Sequence, residues 1–365
     1  MTTGSRITIH RDNTPIYDIL IEHSYEKLTK VFSALALHGR KLCIVSDSNV
    51  GPLYMGDVLD IAKDYAAVVE TFTFPAGEES KNMDVVQKLY EHLICSHFDR
   101  NDVLIALGGG VVGDLVGFTA ATYLRGIRFV QMPTSLLAMV DSSIGGKTGV
   151  DFMKYKNMVG AFYMPNAVYI NLSVLQSLTD AQYYSGFGEV IKYGAIMHKE
   201  FYQTLGKLIP QLTERNSTAL ESIVHTSCMC KKKIVEIDPT EQGERALLNY
   251  GHTLGHAIEK LMDFRMLHGE CITVGMVAAS YISCERGYIS KQEHEEFIQL
   301  CKALHLPVSY QNLASKDIIK ASKSDKKMDA DQIKFILLHS MGEAYIDKTV
   351  TDEEMLQALE AVKEI

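Results

Sequence analysis

An apolar run followed directly by a glycine-rich turn constrains the fold of this chain most. Residues 102–107 read DVLIAL, and the chain continues as Gly-Gly-Gly-Val-Val-Gly-Asp up to Asp114. A continuous apolar run of this length is typical of a strand buried on both faces of a parallel sheet. Glycines between a strand and an apolar helix let the backbone approach a phosphate, whose charge the helix N-terminus favours. The pattern is consistent with a dinucleotide site, although a tight structural turn explains the glycines equally well.

Four further segments in the first half have the composition of strands, namely Lys41–Asp47, Val68–Phe74, residues 128–132 and Ala167–Asn171. Helical patterns separate them, and this alternation predicts an α/β fold in which a Rossmann-like parallel sheet carries helices on both faces. The glycine turn follows about a hundred residues of chain rather than the first strand, so the order of winding differs from an ordinary dinucleotide-binding unit.

The second half of the chain differs in the secondary structure that its residue patterns predict. From about Leu178 onwards strand-like runs almost vanish, and helical patterns cover residues 189–208, 217–236, 247–261, 271–286 and 291–304. We therefore predict two domains, an α/β domain at residues 1–178 and an all-helical domain at residues 179–365. One apolar run at residues 333–338 is too short to assign to a strand or to a buried turn of helix.

Spaced histidines in the helical half indicate a metal or catalytic cluster. His252 and His256 stand at i and i+4, and His268 follows within seventeen residues. Thr253 stands where a zinc protease has its glutamate base, which argues against that class. Glu189 is the best candidate for an anionic ligand, although a glutamate in the first turn of a helix also simply complements the dipole. Two histidines and one carboxylate leave coordination positions open, as in catalytic Zn²⁺ sites.

A small, polar and glycine-rich segment at residues 141–149 offers Lys147 as a partner for a phosphate. It is not a P-loop, because Asp141 stands where the first glycine of that motif is required. Other cations lie in polar or glycine-bearing surroundings: Lys156, Lys192, Lys231, Arg245 and Lys326. For each of them alone, a solvated side chain is the default explanation, so the case for a site rests on their grouping.

Composition excludes several classes of function. The net charge of −9 argues against a nucleic-acid partner, whose footprint on a protein is a basic patch. The chain has seven cysteines and no Cys-x-x-Cys, which indicates reduced thiols in a cytoplasmic protein rather than a disulfide framework. No apolar run approaches the length that spans a membrane, so we expect no membrane partner.

Five ordered segments together resemble the 3-dehydroquinate synthase family of the sugar-phosphate cyclase superfamily. They are MVDSSIGGKTGVD at 139–151, KNMVGAFYMP at 156–165, GEVIKYG at 188–194, RALLNYGHTLGHAIE at 245–259 and HGE at 268–270. The likeness extends from about Lys41 to Ala344. It implies a cofactor-binding α/β domain followed by a helical metal-binding domain, in agreement with the division reached from the residues alone.

The resemblance also implies roles for individual residues. The ligands of Zn²⁺, or of Co²⁺, would be Glu189, His252 and His268. The NAD contacts would be Asp47, Glu78, Lys81, Gly109, Gly110, Val111, Val112, Gly113, Asp114, Thr134, Ser135, Lys147 and Lys156. The phosphate of the substrate would be held by Lys147, Asn157, Asn249, His256 and Lys326, with Arg125 reaching in from the other subunit of a homodimer. Lys231 and Arg245 would bind a carboxylate, while Asp141 and Lys192 would lie near the substrate hydroxyls.

The reaction implied by the resemblance converts 3-deoxy-D-arabino-heptulosonate 7-phosphate, a phosphorylated sugar acid, to 3-dehydroquinate and phosphate. It combines transient oxidation by NAD, β-elimination of phosphate, re-reduction and an intramolecular aldol closure. Three alternatives stay open: another sugar-phosphate cyclase, a metal-dependent polyol dehydrogenase, and a non-catalytic metal-binding scaffold. The sequence departs from the family pattern at residues 178–182, at Gly188, where alanine is usual, and at Met139, where glutamine is common.

Overall fold

The computed structural model describes residues 4–153, 155–263, 265–325 and 334–364. The chain divides into two compact units. The first comprises Met1–Leu178 and Lys231–Glu236, and the second comprises Thr179–Cys230 and Ile237–Ile365. The short segment Lys231–Glu236, which comes from the helical half of the sequence, therefore packs with the first unit.

A seven-stranded sheet organises the first unit. Its strands are β1 (Ser5–Arg11), β2 (Thr14–Glu22), β3 (Lys41–Asp47), β4 (Val68–Phe74), β5 (Val103–Gly108), β6 (Arg128–Pro133) and β9 (Ala167–Asn171). Between β6 and β9 the chain forms a separate antiparallel hairpin of β7 (Lys147–Phe152) and β8 (Tyr155–Phe162). The order across the sheet is β1-β2-β9-β6-β5-β3-β4, and every neighbouring pair except β1–β2 is parallel. The predicted parallel sheet is thus confirmed.

The core of this unit lies against β5. Its helices are α1 (Leu28–Ala34), α2 (Gly51–Lys63), α3 (Met83–Cys95) and α4 (Gly110–Thr122). All six residues of β5 are buried, as the apolar run predicts for a strand covered on both faces. Leu89 of α3, Leu104 of β5 and Leu115 of α4 belong to one apolar cluster. Each such buried side chain contributes roughly 1.5–3 kcal/mol relative to exposure, and together they fix the strand–turn–helix geometry around the glycines.

Four strands of the first unit were not predicted, and each has a weak sequence signal. β1 and β2 alternate buried and partly exposed residues around a tight turn in which Asp12 and Asn13 both have positive φ. β8 is exposed or half-exposed along its whole length, so it lacks the apolar pattern of a core strand. These strands lie at an edge of the main sheet or outside it.

Helices dominate the second unit. They are α5 (Asp180–Ser185), α6 (Phe187–Met197), α7 (Lys199–Thr213), α8 (Ser217–Ile237, whose residues Lys231–Glu236 belong to the first unit), α9 (His252–Leu261), α10 (His268–Glu285), α11 (Lys291–Ala303), α12 (Ser315–Asp325) and α13 (Asp352–Ala361). The predicted helical character is confirmed. One antiparallel hairpin, β10 (Phe335–Ser340) with β11 (Glu343–Asp347), also belongs here. Residues 335–338 of the short apolar run that the sequence left unassigned therefore lie in a strand, while Ile333 lies outside the described residues.

Two of the predicted helical segments are interrupted. The segment at 189–208 breaks at His198, which leaves helical geometry and whose Nδ1 accepts a hydrogen bond from Phe201 N at 3.2 Å, capping α7. The segment at 247–261 begins with a 3-10 turn over Glu244–Asn249, and α9 starts only after Gly251, whose φ is +79°. A residue with a side chain is disfavoured in that left-handed conformation, so the glycine sets the first residue of α9.

Glycines let the helices α6, α9 and α10 approach closely. A Cβ atom on Gly188 would lie 2.5 Å from the carbonyl oxygen of Gly269, and one on Gly275 would lie 1.9 Å from that of Gly251. Side chains at these positions would force the backbones apart. Close packing therefore places the first turns of α6, α9 and α10 side by side, and each of these turns carries one of the predicted metal ligands.

Candidate active site

The predicted metal ligands come together in the second unit. Oε1 of Glu189 lies 3.6 Å from Nε2 of His252 and also 3.6 Å from Nε2 of His268. Donor atoms at the usual Zn²⁺ distances in a tetrahedron are about 3.3–3.4 Å apart. Each of these three side chains presents one donor atom to a common point, so their chemistry and spacing fit a zinc-like ion.

Hydrogen bonds behind the two imidazoles fix which nitrogen faces that point. Nδ1 of His252 lies 3.0 Å from the carbonyl oxygen of Tyr250, and Nδ1 of His268 lies 3.4 Å from Oε2 of Glu259. Because both partners are acceptors, each Nδ1 carries the proton in the neutral ring. The lone pair is then on Nε2, where a metal ion would be bound.

Electrostatics at the cluster distinguish the two histidines. Burial lowers the pKa of His252 well below its usual value, and the charges of Lys192, His256 and His268 lower it further. Burial alone would also lower the pKa of His268, but hydrogen bonds to Glu189 and Glu259 raise it to about 9. A cation bound at the Nε2 atoms would replace that proton, since histidine must be neutral to act as a ligand.

A third imidazole lies beside this pair. One ligand nitrogen each of His252, His256 and His268 falls within 4.8 Å of the other two, and the rings of His252 and His256 are 5.0 Å apart. The i and i+4 spacing thus places both side chains on one face of α9, as predicted. Lys192 contacts Oε2 of Glu189, which leaves Oε1 to face the histidines. Both Lys192 and Glu189 are buried.

A structured loop holds the predicted substrate residues that precede α9. The carboxylate of Asp238 accepts hydrogen bonds from the backbone N–H groups of Gln242, Gly243 and Arg245. The buried guanidinium of Arg245 donates to the carbonyl oxygen of Pro239 at 2.6 Å. The amide of Asn249 donates to Oε1 of Glu241 at 2.8 Å. Asp238 and Glu241 were not predicted, because nothing in their local pattern marks them as partners of these residues.

In the first unit, the glycine turn lies between β5 and α4 as predicted. Gly109 is the N-cap of α4 and Gly110 its first residue, and no side chain caps this end. The first-turn N–H groups of Val111 and Val112 can therefore donate to a phosphate. A Cβ atom on Gly113 would lie 2.6 Å from Oε1 of Gln131, so the third glycine allows the helix to pack closely on β6.

Other predicted cofactor residues lie at the carboxyl ends of neighbouring strands. Asp47 ends β3, and Thr134 and Ser135 directly follow β6, on either side of the glycine turn in the sheet order. Oδ1 of Asp47 accepts hydrogen bonds from the backbone of Asn49 and Val50. In open α/β sheets, ligands bind at this edge.

A buried ion pair links the glycine turn to the β7–β8 hairpin. Nζ of Lys81 lies 2.6 Å from Oδ2 of Asp114 and 2.6 Å from Oδ1 of Asn157. Asn157 has φ of +53°, and its backbone N–H donates to Oδ1 of Asp151, a residue that was not predicted. Since Lys81 occupies the amide oxygen of Asn157, the NH₂ group of Asn157 is oriented as a donor for an anion.

Five more predicted residues of the first unit occupy defined positions. Nζ of Lys156 lies 3.3 Å from Oε1 of Glu78. Nζ of Lys231 lies 2.7 Å from Oδ1 of Asp141 and 2.6 Å from its carbonyl oxygen. Lys147 opens β7 with an exposed side chain. Each pair joins two residues of one predicted set, since Lys156 and Glu78 were predicted for the cofactor and Lys231 and Asp141 for the substrate.

Arg125 and Lys326 complete the predicted set. Arg125 is exposed and follows Leu124, and both residues have positive φ. Lys326 lies outside the described residues. Among the helices that the structure describes, none combines the length and apolar character required to cross a membrane.

Comparison with known proteins relates both units to one family. Models described as 3-dehydroquinate synthase N-terminal and 3-dehydroquinate synthase C-terminal match residues 71–185 and 186–328. A 3-dehydroquinate synthase from Desulforamulus reducens is 42% identical over 323 residues, which cover 88% of this chain and 90% of the relative.

Solved structures share the fold at lower identity. A 2-epi-5-epi-valiolone synthase from Streptomyces hygroscopicus subsp. jinggangensis, with NAD⁺ and Zn²⁺ bound, aligns with a TM-score of 0.88 at 24% identity, covering 98% of this chain and 99% of that chain. A 2-deoxy-scyllo-inosose synthase complexed with carbaglucose-6-phosphate, NAD⁺ and Co²⁺ aligns with a TM-score of 0.83 at 23% identity, covering 99% and 100%. At these identities the likeness extends to the fold alone.

Proposed function

The chain belongs to the 3-dehydroquinate synthase family, and from that premise we propose that it converts 3-deoxy-D-arabino-heptulosonate 7-phosphate to 3-dehydroquinate and phosphate. It is then a phosphate-eliminating lyase of aromatic amino acid biosynthesis. One structural observation gives the strongest support to this proposal. Oε1 of Glu189 faces Nε2 of both His252 and His268 at 3.6 Å, and each imidazole has an acceptor behind it.

We assign Zn²⁺, or Co²⁺, to Glu189, His252 and His268, and NAD to the first unit. There the glycine turn Gly109–Asp114 would hold the diphosphate, with Asp47, Glu78, Lys81, Thr134, Ser135, Lys147 and Lys156 around the cofactor. Bound there, the metal would polarise a secondary hydroxyl of the substrate, and NAD would supply a reversible acceptor for the hydride on the carbon that carries that hydroxyl. Glu259 and the carbonyl of Tyr250 keep the two imidazoles in the tautomer that this ligand set needs.

The remaining predicted residues serve to bind and orient an anionic substrate. Arg245 and Lys231 supply the cations for its carboxylate, and the planar guanidinium of Arg245 suits a bidentate contact. Asn157, Asn249, His256, Lys147 and Lys326 are assigned to the phosphate. Asp141 and Lys192 are assigned to the hydroxyls. A site that mainly positions its substrate suffices, because the substrate carries its own leaving group.

The decisive experiment measures phosphate release from 3-deoxy-D-arabino-heptulosonate 7-phosphate with trace NAD⁺, in the presence and absence of a chelator. We expect many phosphates per NAD⁺ and loss of activity on chelation. No release from this substrate, with turnover of an uncarboxylated sugar phosphate, would favour another cyclase. Stoichiometric accumulation of NADH would instead make the protein a polyol dehydrogenase. If the protein binds metal but turns over none of these substrates, the remaining alternative is a non-catalytic metal-binding scaffold.

We further propose that the protein is a homodimer in which Arg125 serves the neighbouring subunit. Large exposed apolar side chains on the first unit support a partner surface: Leu124, Phe152, Met153, Tyr155, Met158 and Phe162. The test mixes Arg125→Ala protein with His268→Ala protein and measures activity against each alone. Restored activity supports a shared site, and no restoration after subunit exchange counts against it.

A cytoplasmic location is proposed on the state of the thiols. None of the seven cysteines forms a disulfide, and five of them are buried. Cysteines outside disulfides are typical of proteins kept in a reducing compartment. Fractionation of the source cells, with activity recovered in the cytosolic fraction, is the corresponding test.

A further inference from the structure

Two side chains of α8 bind the exposed edge of the main sheet. β1 is the outermost strand of the sheet, and within the described part of the chain no strand lies beside its outward backbone groups. Nζ of Lys232 donates to the carbonyl oxygen of Thr8 at 2.8 Å, and the N–H of His10 donates to Oε1 of Glu236 at 2.6 Å. Lys232 and Glu236 therefore satisfy the acceptor and the donor that a further strand would have used.

These two residues also contact each other. They are spaced i and i+4 on α8 and form an ion pair in which both side chains are largely buried. Nδ1 of His10 lies 3.1 Å from Oε1 of Glu236 and 3.3 Å from Nζ of Lys232. Burial alone would raise the pKa of Glu236, but hydrogen bonds from Lys232 and His10 lower it. Glu236 is thus ionised at neutral pH. We call Lys232 and Glu236, which bind β1, the edge clamp.

The neighbour of Lys232 is Lys231, one of the residues assigned to the substrate. Successive residues on a helix point about 100° apart, so Lys231 and the clamp face different parts of the first unit. Lys231 is buried and bonds both the carboxylate and the carbonyl oxygen of Asp141. A helix held at two faces can neither rotate nor slide without breaking one set of contacts. The clamp therefore fixes where the ammonium of Lys231 lies.

We propose that Lys232 and Glu236 are positioning residues that hold Lys231 in place beside Asp141 by clamping the edge of β1. The inference rests on the proposed function, in which Lys231 binds the carboxylate of the substrate. Neither Lys232 nor Glu236 touches the substrate in this arrangement. Their effect on the reaction passes through the position of the Lys231 ammonium.

The test compares Lys232→Met and Glu236→Gln with Lys233→Met in the full-length protein. Lys233 is the next residue of the same helix and is exposed, so Lys233→Met removes the same charge without removing the clamp. For both clamp variants we expect KM for the phosphorylated sugar acid to rise about tenfold, the loss expected for one charge-assisted hydrogen bond. kcat should change less, and the dissociation constant for NAD⁺ should be unchanged. Lys233→Met should match the wild type.

A double-variant cycle separates positioning from a general loss of stability. In a Lys231→Met background, Glu236→Gln should add little to KM, because its effect acts through a side chain that is already gone. Lys232→Arg should restore KM, since a guanidinium can still donate to Thr8 and pair with Glu236. If Lys232→Met is too unstable to assay, Glu236→Gln, which keeps its shape, provides the same comparison.

Two results would overturn the inference. One is a KM for both clamp variants equal to that of Lys233→Met, and the other is a full additive loss in the Lys231→Met background. If wild type and Lys233→Met turn over normally in the same assay, either result counts against the positioning role and leaves the proposed function intact. Absence of turnover in wild type would count against the proposed function itself, and the inference would fall with it.

Discussion

Nδ1 of His268 lies 3.4 Å from Oε2 of Glu259, while Nε2 of the same ring lies 3.6 Å from Oε1 of Glu189. The imidazole is thus held between two buried carboxylates, one at each nitrogen. Glu259 therefore orients the ring, whereas Glu189 shares the proposed metal with it.

We predict that Glu259→Gln weakens metal binding by about 10–100-fold, the usual cost of losing a carboxylate behind a ligating histidine. An amide can present its NH₂ group to Nδ1, which favours the wrong tautomer. The measurement is a chelator competition followed by atomic emission. Glu285→Gln, at the exposed end of α10, is the matched control and should bind metal normally. Equal affinities in the two variants would remove Glu259 from the site.

The three clustered histidines should behave differently when removed. We expect His268→Ala to lose bound metal, because Nε2 of His268 and Oε1 of Glu189 face the same point. His256→Ala should keep near-stoichiometric metal and instead raise KM for the phosphorylated substrate. Metal content by atomic emission and KM in the same preparations decide the matter. If His256→Ala loses its metal as completely as His268→Ala, the ligand set is the three imidazoles rather than Glu189 with two of them.

Patterns of the sequence predicted the parts of the fold that depend on local residues. β3, β4 and β9 have the predicted bounds, because short apolar runs between breakers mark buried strands. The exposed strand β8 has no such pattern and was missed. The break at His198 depends on a single capping interaction, and the helical spacing of apolar residues does not reveal such an interaction.

The same distinction applies to the candidate site. Spacing along α9 was enough to predict that His252 and His256 share a face. By contrast, Glu259, Glu241 and Asp151 act only through residues that the fold brings to them. Nothing in their own neighbourhoods distinguishes them from solvated carboxylates, so their contacts could be found only in three dimensions.

Arg286 and Glu354 should make stability depend on pH in the acid range. Hydrogen bonding to Arg286 lowers the pKa of Glu354 to about 2. A carboxylate whose pKa is depressed by folding stabilises the protein above its unfolded pKa, and this stabilisation is lost as the pH falls through the folded pKa. Glu354→Gln should therefore cost about 1–2 kcal/mol at pH 7, allowing for solvent screening of a partly exposed pair.

Urea unfolding of wild type and Glu354→Gln at pH 7, 4 and 3 tests this. The difference in the free energy of unfolding between the two proteins should be largest at pH 7, should shrink between pH 4.5 and 2, and should vanish below that range. Glutamine can still accept the N–H of Thr351 in the capping box, so the substitution removes the charge and keeps the cap of α13. Glu353→Gln, exposed in the same first turn, is the control. A difference that does not change with pH would mean that the ion pair contributes nothing.

Alanine is usual at position 188 in the family pattern, but in this chain the backbone of Gly269 lies too close to Gly188 to leave room for a side chain. A Cβ atom on Gly188 would lie 2.5 Å from the carbonyl oxygen of Gly269, and backbone cannot move aside as a flexible side chain can. Gly188→Ala should therefore push α6 away from α10 and cost about 1–3 kcal/mol, as overpacking does. The adjacent residues are Glu189 and His268, so the same displacement should lengthen their separation and weaken metal binding.

The control for Gly188→Ala is Gly206→Ala. Gly206 lies within α7, and a Cβ atom there would meet nothing within 4 Å. Alanine at such a helical position should stabilise the protein by about 0.4–1 kcal/mol and leave metal binding unchanged. If the close approach of α6 and α10 builds the site, thermal unfolding should show a lower Tm for Gly188→Ala and a higher Tm for Gly206→Ala. Metal titration should then show weaker binding for Gly188→Ala alone. If Gly188→Ala instead gains stability and binds metal as tightly as Gly206→Ala, the helices can separate at no cost, and the glycine is not what holds Glu189 against His268.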